Sequence, residues 1–299
     1  MVKIHFLNVG HGDCIIIENF DTGRNTIIDI NRSVDFDKTT SEELLKIFEI
    51  DYCFNGICAA LESKGYNIKI TDPIQYLKDN DILDIHRFVS THPHMDHISG
   101  LKDLYEEIYF RNIWITDHHW EPDKSKFSEK QEIDWEFYKK LKNNEIEDVT
   151  RVNPLEGSKI DYLPDDGLQV LAPNKELLES SNANDLSYVI LFKYAGRKII
   201  FGGDAEEKTW KYIYKKYALS NIDILKASHH GRDSGYYQPV VKVMSPEYTI
   251  VSVGKKPSTD ASNKYRQYCN NVWSTRWKGN IVFTIYNDGK IDYKWEYDR

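Results

Sequence analysis

Residues 90–100 read STHPHMDHISG, which sets His92, His94, Asp96 and His97 close together in a chain with ten histidines among 299 residues. Alternate residues of an extended chain share one side, so the imidazoles of His92 and His94, just past the strand-like run HRFVST, can face a single point. Asp96 and His97 open the helix that follows, where an aspartate is expected as N-cap. The stretch thus offers two ligand pairs, one from a strand exit and one from a helix start. Imidazole and carboxylate together suit zinc, manganese or iron, and two pairs suit two ions. Two ions about 3.5–4 Å apart can activate water and clamp both sides of a displaced bond. A lone histidine here would be read as an ordinary helix cap; this spacing is not.

Such a centre needs further ligands and a bridge. KIIFGGD ends an apolar strand with Gly202 and Gly203, which let the backbone turn closely, and then Asp204, whose two carboxylate oxygens can span two metals. DILKASHHGRDSG ends another strand with His229 and His230. Either stretch alone reads as a common turn. Three strand ends that each deliver metal ligands support one another. Spacing leaves open whether His229 or His230 is the ligand, since both follow the strand end.

The elements that must position these residues follow from pattern. KIHFLNVG, CIIIENF and TIIDI alternate or run apolar between Gly and Asn/Asp turns and read as a strand meander. Between about 31 and 80 the pattern changes. TSEELLKIFEI has helical spacing and a Ser/Thr start, and PIQYLKDN reads as a second short helix. HISGLKDLYEEI has apolar residues at helical spacing. NIWIT is a strand. Residues 117–153 are polar and aromatic and read as an insertion, with SEKQEIDWEFYKKLKNN as an exposed amphipathic helix. LQVLAP, YVILFKY and KIIFGGD, a helix at EEKTWKYIYKKYA, then DILKAS, YTIVSV and the hairpin NIVFTIYNDGKIDYKW complete the chain. Strands in both halves with helices between them predict an α/β sandwich of mixed sheets flanked by helices, in a single domain over 1–299.

Composition narrows the function. The chain is 40% hydrophobic and 29% charged, enough for a packed core. A formal net charge of -8 argues against a broad face for duplex nucleic acid, which is bound by clustered Lys and Arg. No apolar run is long enough to span a bilayer, and the first residues lack the features of a secretory signal, so a cytoplasmic location is expected. Cys14, Cys53, Cys58 and Cys269 form no C-x-x-C pair and read as reduced thiols rather than zinc ligands.

THPHMDH, GGD and HHG, in this order, resemble the metallo-β-lactamase superfamily. FLNVGHGDCIII, IIDI, NDLSYVILFKYAGRKIIFGGD and LKASHHG resemble more narrowly the hydrolase domain of ComEC-type DNA-uptake channel proteins and their stand-alone relatives. The resemblance covers the frame of the chain but neither 31–80 nor the segment after Asp117. It implies an αββα sandwich with a dinuclear site between the sheets at one edge. It implies that His92 and His94 hold one ion, that Asp96, His97 and His229 or His230 hold a second, and that Asp204 bridges. The ions would be zinc, with manganese as the alternative, and Asp96 and Asp204 would carry catalysis. Many superfamily members carry a further histidine before the YVILFKY-type strand; here SSNANDLS has none, and Asn184 or Ser187 takes that place, as in the ComEC-like branch. His118 and His119 are the other unassigned pair and read as a surface loop. Asp13 and Asp29 lie at turns expected to border the site, with Asp13 orienting a water or a ligand imidazole. His11 reads as a rim residue. Arg232 and Ser234 could hold an anionic oxygen, and Lys226 reads as structural.

The expected function is a metal-dependent hydrolase acting on a phosphodiester, single-stranded nucleic acid or a small nucleotide. A lactone, thioester or β-lactam is an alternative substrate. The alternative class is a metal-holding sensor or partner-binding subunit, whose protein interface would be the aromatics Trp114, Trp120, Trp135, Phe137 and Tyr138.

Overall fold

The computed structural model describes residues 1–32, 42, 45–46, 70–158, 165–254 and 259–297. The helix expected at TSEELLKIFEI lies almost wholly outside them, as do Cys53 and Cys58. The strands are β1 (Val2–Phe6), β2 (Ile15–Asn19), β3 (Asn25–Ile28), β4 (Ile30–Asn31), β5 (Ile85–Val89), β6 (Phe110–Trp114) and β7 (Thr150–Val152), then β8 (Leu168–Ala172), β9 (Val189–Tyr194), β10 (Arg197–Phe201), β11 (Ile224–Lys226), β12 (Tyr248–Val251), β13 (Asn271–Ser274), β14 (Ile281–Ile285) and β15 (Ile291–Trp295). All but β4 form an eight-stranded sheet, β15-β14-β1-β2-β3-β5-β6-β7, and a six-stranded sheet, β13-β12-β11-β10-β9-β8, while β4 bridges to Ile98 and Ser99.

Alternation along the strands makes the layers. On β2, Ile15 and Ile17 join the core between the sheets with Val2, Ile4 and Phe6, while Ile16 turns to the outer side. On β10, Ile199 and Phe201 face that same core and Ile200 faces outward. The outer face of the larger sheet is covered by α1 (Pro73–Asp79), α3 (Leu101–Glu107) and α4 (Glu129–Lys142), and that of the smaller sheet by α5 (Glu207–Lys216) and α6 (Gln238–Met244). Each buried aliphatic side chain contributes about 1.5–3 kcal/mol, so three apolar layers hold the strand ends firmly. The expected αββα sandwich is the architecture found.

Two local expectations need correction. HISGLKDLYEEI is not one helix: α2 (Met95–Ile98) stops, Gly100 takes φ +90, and α3 starts anew. A side chain at Gly100 would sit 2.5 Å from Arg32 Cβ, so both conformation and space require glycine. Helix α4 forms as expected, opened by a Ser128–Gln131 capping box, but it is not merely exposed. Its Asp134, Trp135, Phe137, Tyr138 and Leu141 are buried, and Asp134 accepts hydrogen bonds from Gly100 N and Lys102 N at 2.8 and 3.0 Å. The helix therefore clamps the break between α2 and α3.

Candidate metal centre

The strands β1, β3 and β5 run in one direction, as do β10 and β11, and the loops after their C-terminal ends meet at one edge of the sandwich. Past β3, Asp29 takes φ +58 and turns its carboxylate under the neighbouring strand end. Its oxygens accept from Thr91 N and Thr91 Oγ1, both at 2.7 Å. This fixes the Thr91–His94 segment before α2 begins. The N-cap of α2 is His94, not Asp96; Asp96 sits inside the first turn and is free to point into the site. Past β10, Gly202 lets the GGD turn approach the next one: a side chain there would lie 2.1 Å from Ser228 Oγ. Past β11, His229, His230 and Gly231 all adopt left-handed backbone, at φ 49, 52 and 73. Non-glycine residues pay roughly 1–3 kcal/mol for such conformations, which concentrate at functional sites.

The side chains then converge. His92 Nε2 and His94 Nδ1 lie 3.0 Å apart. Asp204 Oδ2 is 3.8 Å from His92 Nε2, 3.4 Å from His97 Nε2 and 3.4 Å from His230 Nε2. His230 Nε2 is also 3.2 Å from Asp96 Oδ2, and its Nδ1 is 3.0 Å from the Ser252 carbonyl, which fixes the ring. His97 Nδ1 is 2.8 Å from Asp29 Oδ2, leaving Nε2 to face Asp204 and Asp96. Among the described residues, His97 Nε2 and Asp204 Oδ1 are buried with no hydrogen-bond partner. Two triads offer ligand atoms within 4.8 Å of one another, His92–His97–Asp204 and His11–Asp96–His230. Imidazole nitrogens and carboxylate oxygens left without partners in a buried cluster are a donor set for borderline or hard divalent cations.

The electrostatics divide the histidines. Burial, then the neighbouring His97, pushes His92 well below the usual imidazole range, and burial lowers His94. Both offer free lone pairs at neutral pH. Burial also opposes charge on His97 and His230, but Asp204 and the other carboxylates overcome it and raise both. For Asp204 and Asp96 burial works against ionisation, yet the facing imidazoles hold both well below the usual carboxylate range. The centre is a field of carboxylates that calls for positive charge.

The other expected residues fall into place around it. His229 stands at the edge of the cluster: its Nδ1 is 2.7 Å from Ser234 Oγ and 3.0 Å from Glu206 Oε1, and its Nε2 is 4.0 Å from Asp204 Oδ2. Asn184 donates to Glu206 Oε1 at 3.1 Å, the oxygen that also lies beside His229 Nδ1, and Ser187 Oγ accepts from Asp204 N at 3.2 Å. Ser234 therefore orients His229, and Arg232 pairs its backbone with Asp260 beside it. His11 reaches the rim, with Nε2 3.9 Å from Asp96 Oδ2. Asp13 is buried against Lys226, whose ammonium it pairs with. His118 is not on a surface loop: it is buried, 2.9 Å from Tyr138 Oη, whereas His119 is exposed. Trp114, Trp135, Phe137 and Tyr138, expected as a partner surface, are buried, because the helix that carries three of them packs on the larger sheet. Trp120 alone of that set is half-buried, its ring 5.2 Å from His94. Glu206 and Thr91 were not expected at the site. Glu206, two residues past Asp204 in GGDAEE, and Thr91, in STHPH, carried the only signal, adjacency to the motifs.

Residues 7–255 match the Metallo-beta-lactamase superfamily, and the chain belongs to that family of metallo-hydrolases. More particularly, a stretch of 125 residues is 26% identical to Recombination protein 2 of Haemophilus influenzae, covering 40% of this chain and 15% of that protein. The chain thus spans a small part of that relative's length. Igni18, a novel metallo hydrolase from the hyperthermophilic archaeon Ignicoccus hospitalis, is similar over 99% of this chain and 100% of its own, with a TM-score of 0.50 and 14% identity. At that identity the likeness is one of fold. Among the described residues no helix is long and apolar enough to cross a membrane.

Proposed function

We propose that this chain is a metal-dependent phosphodiesterase of the ComEC-type branch, acting on nucleic acid or a small nucleotide through a dinuclear centre. The observation that carries the reading is the convergence of His92, His97 and His230 on Asp204 Oδ2, with His97 Nε2 and Asp204 Oδ1 buried and without a hydrogen bond among the described residues. His92 and His94 would hold one ion, and Asp96, His97 and His230 the other. Asp204 would bridge. The His229 ring, bound to Ser234 and Glu206, fits the rim better than the first coordination sphere. Zinc or manganese bound there would supply Lewis acidity, to activate water at neutral pH and to offset charge on a phosphoryl oxygen.

The chain's own residues do the rest. Asp29 holds His97 in one tautomer, and Thr91 holds the strand end that aims His92. Asp96, whose side chain is 30% exposed, is the carboxylate of the set open to solvent. In this reading Asp96 would take a proton from the attacking water and return it to the leaving group. The likeness to a relative named for recombination supports a nucleic-acid phosphodiester over a lactone, thioester or β-lactam. The net charge of -8 favours single strands or short nucleotides over long duplexes.

The test is elemental analysis of the purified chain, then hydrolysis of bis-p-nitrophenyl phosphate and an ester panel with zinc, manganese and magnesium. About two ions per chain are expected. Asp204→Asn combined with His94→Ala is expected to lose both metal and hydrolysis. A wild type that binds no divalent ion sinks the reading. One that binds metal and cleaves nothing in the panel leaves the sensor class in its place.

A further inference from the structure

Beneath the centre lies a second set of charged groups that the hydrolytic reading does not use. Lys226 ends β11 and is fully buried, as is Asp13. Its ammonium is ion-paired with Asp13 Oδ2 and stands 3.5 Å from the Gly203 carbonyl, next to Asp204. The free oxygen, Asp13 Oδ1, has no hydrogen-bond partner among the described residues and lies 3.7 Å from His230 Nδ1. Asp13 Oδ2 is 3.9 Å from His97 Nδ1. By ligand type and spacing, Asp13–Asp204–His230 and Asp13–Asp29–His97 are as able to draw a cation as the outer triads, with ligand atoms within 4.8 Å of one another. What distinguishes the inner cluster is that it already contains one.

We propose that Lys226 is a built-in cation of the metal centre: its ammonium occupies the inner carboxylate cluster, keeps Asp13 from coordinating metal, and thereby sets how tightly the outer sites hold their ions. The inference rests on the metal-centre reading. A buried lysine is costly, and a hydrophobic residue of similar volume commonly stabilises more than a buried ion pair does. A compact ammonium resembles a metal ion in charge and size more than a planar guanidinium does. The charges agree. Asp13, Asp29, Asp96 and Asp204 face this volume, and one ammonium leaves three negative charges. Two divalent ions with one hydroxide would neutralise those three. Without the lysine, one charge is left over, and Asp13 becomes a free ligand.

The sign of the effect separates this role from scaffolding. If Lys226 only props up the turns, losing it loosens the ligands and weakens metal binding. If it is a resident cation, losing it removes repulsion and strengthens binding. The experiment is calorimetric titration of the chelator-stripped full chain with zinc and with manganese, on wild type, Lys226→Met, Asp13→Asn and the double variant. Lys226→Met is expected to bind about tenfold tighter than wild type, and Asp13→Asn about tenfold weaker because its ammonium is uncompensated. The double variant is expected to bind about tenfold tighter than Asp13→Asn. If Lys226→Met does not fold, the last comparison decides alone, since both chains in it lack the carboxylate and differ in the ammonium. A double variant no tighter than Asp13→Asn, or a Lys226→Met chain weaker than wild type, overturns the proposal. A wild type that takes up no metal overturns the centre itself instead.

Discussion

His97 and His118 are both fully buried imidazoles in the same half of the sandwich, and their surroundings put them to opposite uses. His97 stands between Asp29 and Asp204, 2.8 and 3.4 Å away, and is raised well above the usual imidazole range. His118 stacks on Tyr138, lies 2.9 Å from its hydroxyl, and has Lys142 donating to its carbonyl. Burial first and Lys142 second push it down to about 3. Burial penalises charge on both rings. What differs is the charge nearby: carboxylates beside one, aromatic faces and an ammonium beside the other. A facing negative charge thus separates these two buried rings, and paired histidines in a sequence say nothing of that by themselves.

The most damaging way to test the contrast is to take the orienting carboxylate from His97. Asp29 touches the ring and Thr91 but stands outside the ligand set, so Asp29→Asn keeps the shape and removes the charge. Loss of such an orienting partner typically costs 10–100-fold in metal affinity, and that is the expected range here. Titration with zinc reads it directly. Affinity within about twofold of wild type would mean that Asp29 does not orient His97 for metal.

The two histidines also mark what the sequence could and could not disclose. His92, His94, Asp96, His97, Asp204 and the His229/His230 pair were legible because each follows a strand end beside a turn residue, and strand ends are readable from apolar alternation. Asp13 and Asp29 were expected to border the site, but which group each one pairs with was not legible. Asp29 lies 68 positions from His97, and Asp13 lies 213 from Lys226, so no local pattern joins them. Asp96 was misread as a cap because an aspartate at a helix start usually caps; here the backbone places His94 at that position. Helix α4 looked exposed because charge dominates its composition, although its buried face includes Trp135 and Tyr138, and Tyr138 makes the aromatic wall around His118. The αββα order was legible from the strand count in both halves, whereas β13 and α6 are short and carry no strong period.

A medium effect is expected from the other side of the comparison. Above an imidazole's ordinary value, His118 is neutral in both folded and unfolded chains and adds no pH dependence. As pH falls below that value, the unfolded chain takes a proton that the folded chain refuses until about pH 3. The wild type therefore loses stability as pH falls, by about 1.4 kcal/mol per pH unit from this group. His118→Gln cannot lose it. In urea melts of the chelator-treated chains, the stability gap between wild type and variant should narrow by about 2 kcal/mol from pH 7.5 to pH 5. A gap that stays constant would show that His118 titrates like an exposed histidine.

The smallest expected effect lies where the two environments touch. Trp120 stands edge to face with His94, ring centres 5.2 Å apart, and with Trp135 at 6.2 Å, and Trp135 stacks on the Tyr138 that carries His118. The aromatic wall that makes His118 inert thus ends against a proposed ligand. An aromatic pair contributes about 0.5–1.5 kcal/mol beyond its buried area, so Trp120→Ala should weaken zinc binding only about 2–10-fold, with Trp120→Phe recovering most of it. If His118→Gln, measured at pH 7.5, weakens zinc binding by a similar factor, and the Trp120→Ala/His118→Gln double variant is no worse than either single one, the wall acts on the centre through Trp120. Additive losses would mean that His118 and Trp120 affect the centre separately, and the two histidine environments would then be neighbours without being coupled.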